Sequence, residues 1–433
     1  MSLLGGEAEG DRVRPISGRR LSPVVWSAVA LVALLEAGCA AAVVTTTPSI
    51  PINGSSPVAP TPGPSIAPTT APTYGPHGTF VPTGSMSVGR DSATATLLSD
   101  GRVLVAGGEG YDAATSAELY NPTTGTFSPT GSMTVGRDSA TATLLLDGRV
   151  LIVGGWEWAA KDSRAESASA ELYDPKIGTF TQTGSLPEAR HFATATRLVD
   201  GRVLLAGGEV GTTSQESATA VLYDPATGKF SPTGSMTRAR IFHTATLLHD
   251  GRVLIAGGNA LDQSAELYDP AAGSFSKTGS MTVVNRDHVA TLLSDGRVLV
   301  VGGGEVSGVS NPAAELYNPT TGTFSKTGSM INFCACMGPI GSPGSAPLLS
   351  DGRVLVPDEG GLAELYNPLT GTFSATGSMT RDRQGFTTTL LGDGRVLIAG
   401  NSGPIYGGPA PSMSPGQIAA IAADRSSAEL YVP

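Results

Sequence analysis

The chain is poor in cysteine, aromatic residues and charge, and each shortage removes a class of protein. There are three cysteines in 433 residues, and Cys39 stands far from Cys334 and Cys336, which excludes a disulfide framework as the source of stability. Phe, Trp and Tyr make up 6% of the sequence, so a core has to be assembled from Ala, Val, Leu and Thr. Charged residues are 15%, with a formal net charge of -10. The first 38 residues hold four basic and four acidic groups, so the acidic excess belongs to the remainder, 23 basic against 33 acidic. An acidic body without a basic stripe argues against nucleic acid as a partner. No Gly-rich phosphate loop, nucleophile elbow or Asp/Glu pair spaced for hydrolysis is present. What the chain has in excess is turn formers, 57 Gly and 31 Pro. That composition suits many short strands better than long helices.

The N-terminal part reads as an address. Arg12, Arg14, Arg19 and Arg20 precede an apolar run from Leu21 to Leu35, the pattern of a secretory leader. The run ends in Glu36-Ala37-Gly38-Cys39, which resembles the box of bacterial lipoproteins, in which the cysteine is lipidated and becomes the new N-terminus. Glu36 departs from that box, where Leu is usual. Cleavage near Ala40 to Ala42, or a retained anchor of about 20 residues, are the alternatives. Each reading places the body outside the cytoplasm, in the envelope or beyond it. Residues 1–42 are therefore the leader, and residues 43–77, rich in Pro, Ser and Thr, an extended linker that cannot bury a core.

From Gly78 to Pro433 one pattern returns seven times. Asp-Gly-Arg-Val begins at Asp100, Asp147, Asp200, Asp250, Asp295, Asp351 and Asp393. A Leu-Tyr pair follows each, ending at Tyr120, Tyr173, Tyr223, Tyr268, Tyr317, Tyr366 and Tyr431. A Gly-x-Phe element recurs at Phe80, Phe127, Phe180, Phe230, Phe275, Phe324 and Phe373. In one unit, Ala93–Leu98 predicts a small-residue inner strand a, and Asp100-Gly101 a hairpin turn. Arg102–Ala106 predicts strand b, apolar on both faces, ended by Gly107-Gly108. Ala117–Tyr120 predicts strand c, Asn121–Gly125 a turn, and Thr126–Ser128 the outer strand d. The series opens on a lone strand d, Gly78–Val81, and closes on a lone strand c, Glu429–Val432. The expected architecture is therefore an all-β, seven-bladed propeller of four antiparallel strands per blade, its ring closed by the N-terminal strand d joining strands a to c of the C-terminus.

The double glycine, the later Tyr and the aromatic on strand d together resemble the kelch repeat, as in the central domain of galactose oxidase. Phe stands where that repeat usually has Trp, and the sixth unit has Val356-Pro357-Asp358 in place of the double glycine. The family's oxidases hold copper with two His and Tyr plus a Tyr-Cys cross-link. Those ligands do not map onto this chain, so no cofactor and no metal are expected.

Several residues are candidates for a site. The Asp-Gly-Arg arginines, such as Arg102, are placed to pair with strand-c glutamates such as Glu118, although the third unit has Val221 there. A second set, Arg90, Arg137, Arg190, Arg240, Arg286 and Arg383, precedes strand a and is expected at one mouth of the central channel. It would be either an anion-binding ring or scaffold neutralised by neighbours such as Asp91 and Asp138. His191, His243 and His288 begin strand a in consecutive units, as polar filler of the mouth or as a base. Departures from sevenfold regularity matter more, because one specific ligand needs asymmetry. Tyr111, Trp156, Trp158 and Tyr406 lie in b-to-c loops, where exposed aromatics stack on sugars or anchor proteins. Cys334-Ala335-Cys336 suggests a short-loop disulfide. The function expected is binding of a surface glycan or an envelope protein by a monomeric, exported module without catalysis. A polysaccharide enzyme that holds a uronate on the arginines, and a structural interaction scaffold, are the alternatives.

Overall fold

The computed structural model describes residues 78–433 except 110, 161–162, 212–214, 259–262, 284–286, 304–311, 332–345, 384 and 401–424. The leader, the linker, Cys39, Arg286, Cys334, Cys336 and Tyr406 lie outside the described residues.

Seven antiparallel sheets follow the seven repeats. In sheet one, strand a is Thr94–Leu97, b is Val103–Ala106, c is Ala117–Asn121 and d is Thr126–Pro129, paired in that order. Sheets two to five repeat this order. Sheet seven takes Thr387–Leu390, Val396–Ala399 and Ala428–Val432 from the C-terminal end, and its fourth strand, Thr79–Pro82, from the N-terminal end. Sheet six departs from the expected four strands: the described residues give it Val354–Pro357, Ala363–Asn367 and Thr372–Ala375, with one bridge from Leu348 to Val354 in place of strand a. Among the described residues no helix is long and apolar enough to cross a membrane.

The turns follow from their residues. Gly101 sits at φ +85°, and the Arg102 N–H donates to Asp100 Oδ1 at 3.0 Å. The Arg102 guanidinium folds back on Asp100 Oδ2 at 2.6 Å, and the same pairing recurs at Arg149, Arg202, Arg252, Arg297, Arg353 and Arg395. The expected pairing of these arginines with strand-c glutamates is thus corrected. An Asp two residues earlier closes a compact turn, and Glu118, Glu171, Glu266 and Glu429 take another arginine.

Strand b is buried on both faces, as its sequence predicts, with Val103, Leu104, Val105 and Ala106 at 2% exposure or less. Each such Val or Leu contributes about 1.5–3 kcal/mol by leaving water. Each apolar cluster spans two sheets. Leu104 and Ala106 pack with Val150 and Ile152 of sheet two, while Leu397 and Ala399 of sheet seven pack with Val103 and Val105 of sheet one.

A polar staple crosses each of these interfaces. The strand-c Tyr hydroxyl meets a Thr hydroxyl that follows strand d of the preceding sheet, at 2.8 Å between Thr130 and Tyr173. The pairs Thr83 with Tyr120 and Thr376 with Tyr431, both at 2.9 Å, carry it across the two interfaces of sheet seven. The Gly after each Thr donates to a turn glycine of the next sheet, Gly131 to Gly178 O at 2.9 Å. A Cβ on Gly131 would lie 2.3 Å from that oxygen, which is why the motif is Thr-Gly. Each Tyr ring also packs on its strand-d Phe, with centroids 4.8 Å apart for Tyr173 and Phe180. These interlocked sheets, with their a strands side by side, have the arrangement of a β-propeller.

Candidate functional site

The arginines before strand a are structural ties. Arg90, Arg137, Arg240 and Arg383 are at most 1% exposed. Their guanidiniums reach Glu118, Glu171, Glu266 and Glu429 at 3.1, 3.2, 3.1 and 2.8 Å. Nη1 of each also donates to the glycine carbonyl that ends strand b, from Arg90 to Gly107 O at 2.8 Å. The glutamate accepts a backbone N–H from the d-to-a connection, such as Thr134 N–H at 2.9 Å. One ion pair thus knots three segments at the end of its sheet. Burial pulls the Arg90, Arg137 and Arg383 pKa down, and the glutamate opposes it. Of the two readings of these arginines, the anion-binding ring is corrected for these four, which are enclosed; they are scaffold, neutralised by strand-c glutamates rather than by neighbours such as Asp91. Arg286 stands nine residues before its Asp, whereas the others stand ten before theirs, so it is out of register with the set.

Sheet three makes the tie differently. Val221 replaces the glutamate, and Pro187 occupies the place whose N–H the glutamate would accept. Donor and acceptor are lost together, so neither is orphaned. Arg190 donates to Gly207 O, Thr219 O and Thr219 Oγ1 at 3.1, 3.2 and 2.9 Å, and the half-exposed Glu188 approaches its Nη2 to 3.8 Å.

The three histidines do not converge. His243 and His288 occupy the place of Ala93, Ala140 and Ala193, seven residues before the Asp. Each crosses to the preceding sheet through Nε2, to Thr194 Oγ1 and Thr244 Oγ1, both at 3.0 Å. Desolvation pushes His243 down to about 3 and His288 to about 4, so both are neutral near pH 7. His191, nine before its Asp, belongs to a different assembly. Among the described residues no group of three or more His, Cys, Asp or Glu is arranged to hold a metal ion.

That assembly is built by two insertions between strands b and c. In sheet two, Trp156–Ala160 and Ser163–Glu166 form a hairpin that also pairs with Arg137–Asp138. In sheet three, Glu209–Val210 and Gln215–Glu216 form a shorter one that pairs with Arg190–His191. His191 is held between them. Its Nε2 lies 3.0 Å from Glu209, its Nδ1 3.4 Å from Glu166, and its ring 4.1 Å from that of Trp156. Burial lowers the His191 pKa despite Glu209, and burial raises that of Glu166.

The outer side of the hairpin carries Trp158, whose Nε1 donates to Asp138 Oδ2 at 2.5 Å. Burial raises the Asp138 pKa against that bond. Arg164 covers both indoles, 4.8 Å from the Trp156 centroid and 6.0 Å from that of Trp158. It lies 3.8 Å from Asp138 and 4.0 Å from Glu109. On the inner side the row continues, with Phe192 at 4.3 Å from His191 and Phe242 at 4.7 Å from Phe192. Both phenylalanines have φ +53°, a conformation that costs a bulky residue on the order of 1–3 kcal/mol.

Trp156 and Trp158 are thus brought into one cluster with His191. Tyr111 falls in a single helical turn, Tyr111–Ala114, and its side chain lies outside what is described. Sequence reasoning missed Arg164, Glu166, Glu209, Phe192 and Phe242. The signal for the phenylalanines was available: they stand eight residues before the Asp, where sheets one and two have Ser92 and Ser139.

No protein-family model matches the chain, and no curated protein matches it by sequence. Solved structures match its fold. A fungal alcohol oxidase of the AA5 family, in complex with copper, is 18% identical with a TM-score of 0.64, over 82% of this chain and 76% of the oxidase. The structure of YjhT is 14% identical with a TM-score of 0.52, over 67% of this chain and 99% of YjhT. At such identities the likeness concerns the fold, a galactose oxidase-like β-propeller. The described residues do not fit a copper centre. The seven repeat tyrosines are engaged with threonine hydroxyls, and His243 and His288 with inner-strand threonines of neighbouring sheets.

Proposed function

We propose that the chain is a closed, seven-bladed kelch-type propeller, exported and held at the cell envelope, that binds a neutral glycan on the face bearing the hairpins of blades two and three. The Thr–Tyr staples on both sides of sheet seven support closure, since the same contact spans all seven interfaces. The apolar run Leu21–Leu35 and Cys39 support export and anchoring.

One observation carries the binding reading. Trp156 and Trp158 are half-buried, capped by Arg164 and bordered by carboxylates, where two insertions interrupt the repeat. Indole faces take the C–H side of a sugar ring, and carboxylates accept its hydroxyls. A neutral ligand is favoured by charge. Glu109 and Glu188 are 44% and 51% exposed here, Glu216 is exposed, and the arginines proposed to hold a uronate are enclosed. The polysaccharide enzyme that depended on that uronate clamp loses its anchor.

The test is binding of the full-length protein to an array of neutral, amino and acidic glycans and to cell-wall fractions, with Trp158→Ala alongside. Neutral-glycan binding that resists salt and weakens about tenfold or more in the variant is expected. Salt-sensitive binding of acidic glycans alone, or binding only to envelope proteins, would overturn the reading.

A further inference from the structure

The position eight residues before each Asp is left-handed wherever it is described. Ser92, Ser139, Phe192, Phe242, Asp287 and Gly385 have φ of 52°, 50°, 53°, 53°, 56° and 59°. Ser, Asp and Gly suit that conformation, because a short polar side chain or none relieves the crowding around Cβ. Phenylalanine does not. The fold therefore needs the conformation but not the ring, and sheets one, two, five and seven manage without it. Strained, bulky residues persist where the surroundings hold them for another purpose.

Their surroundings point to that purpose. Phe192 and Phe242 stand two residues before the inner strands that begin at Thr194 and Thr244, so they occupy the same mouth as the hairpins. Both are partly exposed, and they tilt against each other at 43° with centroids 4.7 Å apart. Phe192 also abuts His191, which abuts Trp156, so the row from Trp156 to Phe242 is unbroken across sheets two, three and four. His191 is held in that row by Glu209, 3.0 Å from its Nε2.

We infer that Phe192 and Phe242 form a second stacking platform that extends the tryptophan site toward the channel mouth, and that the ligand is an unbranched neutral oligosaccharide long enough to reach both. This rests on the glycan reading above. A chain of sugar rings presents repeated apolar faces, which suits aromatic rings set in a row. The acidic rim that disfavours uronates borders the tryptophan end, where Glu109, Glu157 and Glu188 lie.

The experiment uses chito- and cello-oligosaccharides from the monosaccharide to the hexasaccharide, titrated calorimetrically into the full-length protein. The variants are Phe192→Ser, Phe242→Ser, both together, and Trp158→Ala. Serine is the natural residue at this position in sheets one and two, so the variants are expected to fold with an unchanged or higher Tm. Wild type is expected to tighten about tenfold or more between short and long oligosaccharides, and the double serine variant to keep short-chain affinity while losing that gain. Short chains that bind through Trp158 with no gain from length, or a gain that survives the double variant, would overturn the platform and leave the tryptophan site standing. If none of these sugars nor any neutral glycan on the array binds, both fall together.

Discussion

His243 and Thr194 are joined by a hydrogen bond of 3.0 Å between buried side chains 49 residues apart, linking the inner strand of one sheet to the start of the next. His288 and Thr244 repeat it one sheet on. Desolvation holds these rings neutral, His243 down to about 3 and His288 to about 4. The unfolded chain binds those protons near pH 6.5, so the unfolded state takes up more protons on acidification. Stability is therefore complete above about pH 6.5 and falls as the pH drops toward 4, by on the order of 3 kcal/mol for each histidine. Urea titrations between pH 7.5 and 4 check this. His243→Ala with His288→Ala, which installs the residue of sheets one to three, is expected to flatten that slope. An unchanged slope would assign the acid sensitivity elsewhere.

The buried arginine ties give a second prediction. Glu171→Val leaves Arg137 without its carboxylate and the Thr134 and Val135 N–H groups without their acceptor. A cost of about 3–5 kcal/mol is expected, as for any buried pair broken on one side. Sheet three shows how the loss is offset. Adding Thr134→Pro and Val135→Glu reproduces the arrangement of Pro187, Glu188 and Val221, and is expected to recover more than half of the cost. Denaturant melts of the single and triple variants decide it. A triple variant no more stable than the single one would show that Glu188 is not what balances Arg190.

The seam in sheet seven gives a third. Deleting residues 78–82 removes the strand that pairs with Ala428–Val432, takes Phe80 off Tyr431 and strips the Gly78 carbonyl from Thr376 and Gly377. Loss of the Phe80 ring from its cluster, exposure of Tyr431 and one open strand edge are expected to cost on the order of 5 kcal/mol. Tyr431→Phe, which removes the hydroxyl bond to Thr376 and the contact with Gly78 but leaves the strand in place, is expected to cost about 1 kcal/mol. A deletion no more damaging than that point substitution would contradict a ring held shut at this seam.

The seams between these effects also show what the sequence could and could not tell. The sheets were legible because short strands apolar on both faces, Asp-Gly turns and the phase of the repeat all agree, down to the strand d supplied by Thr79–Pro82. Sheet six departs at its inner strand, where the described residues give one bridge from Leu348 to Val354, while the loss of the double glycine at Asp358 was legible in the sequence and there a short turn closed by Leu362 N–H follows. The arginines were misplaced because two arginines and one glutamate recur in most units. Recurrence alone cannot say that Arg102 turns to Asp100 while Arg90 takes Glu118. Trp156 and Trp158 stood out as departures from the repeat. Arg164, Glu166 and Glu209 did not, because insertions have no register against which a residue looks unusual.

The contact between Trp156 and His191 offers the most direct optical test of the assembly. A neutral imidazole 4.1 Å from an indole quenches its fluorescence less than a protonated one does, so tryptophan emission reads the charge on His191. Burial lowers the His191 pKa, against the pull of Glu209, and Arg164 adds to the lowering. The quenching step is therefore expected below the ordinary imidazole value of about 6.5. Glu209→Gln removes a carboxylate that favours the charged ring and is expected to move the step lower still. Trp156→Phe is expected to abolish it. A step at or above 6.5 in the wild type, or one that Glu209→Gln moves upward, would show that His191 is not enclosed between the two hairpins in solution. Since the row from Trp156 to Phe242 depends on that enclosure, the proposed glycan binding and the quenching step are expected to fail together in any variant that opens the hairpins.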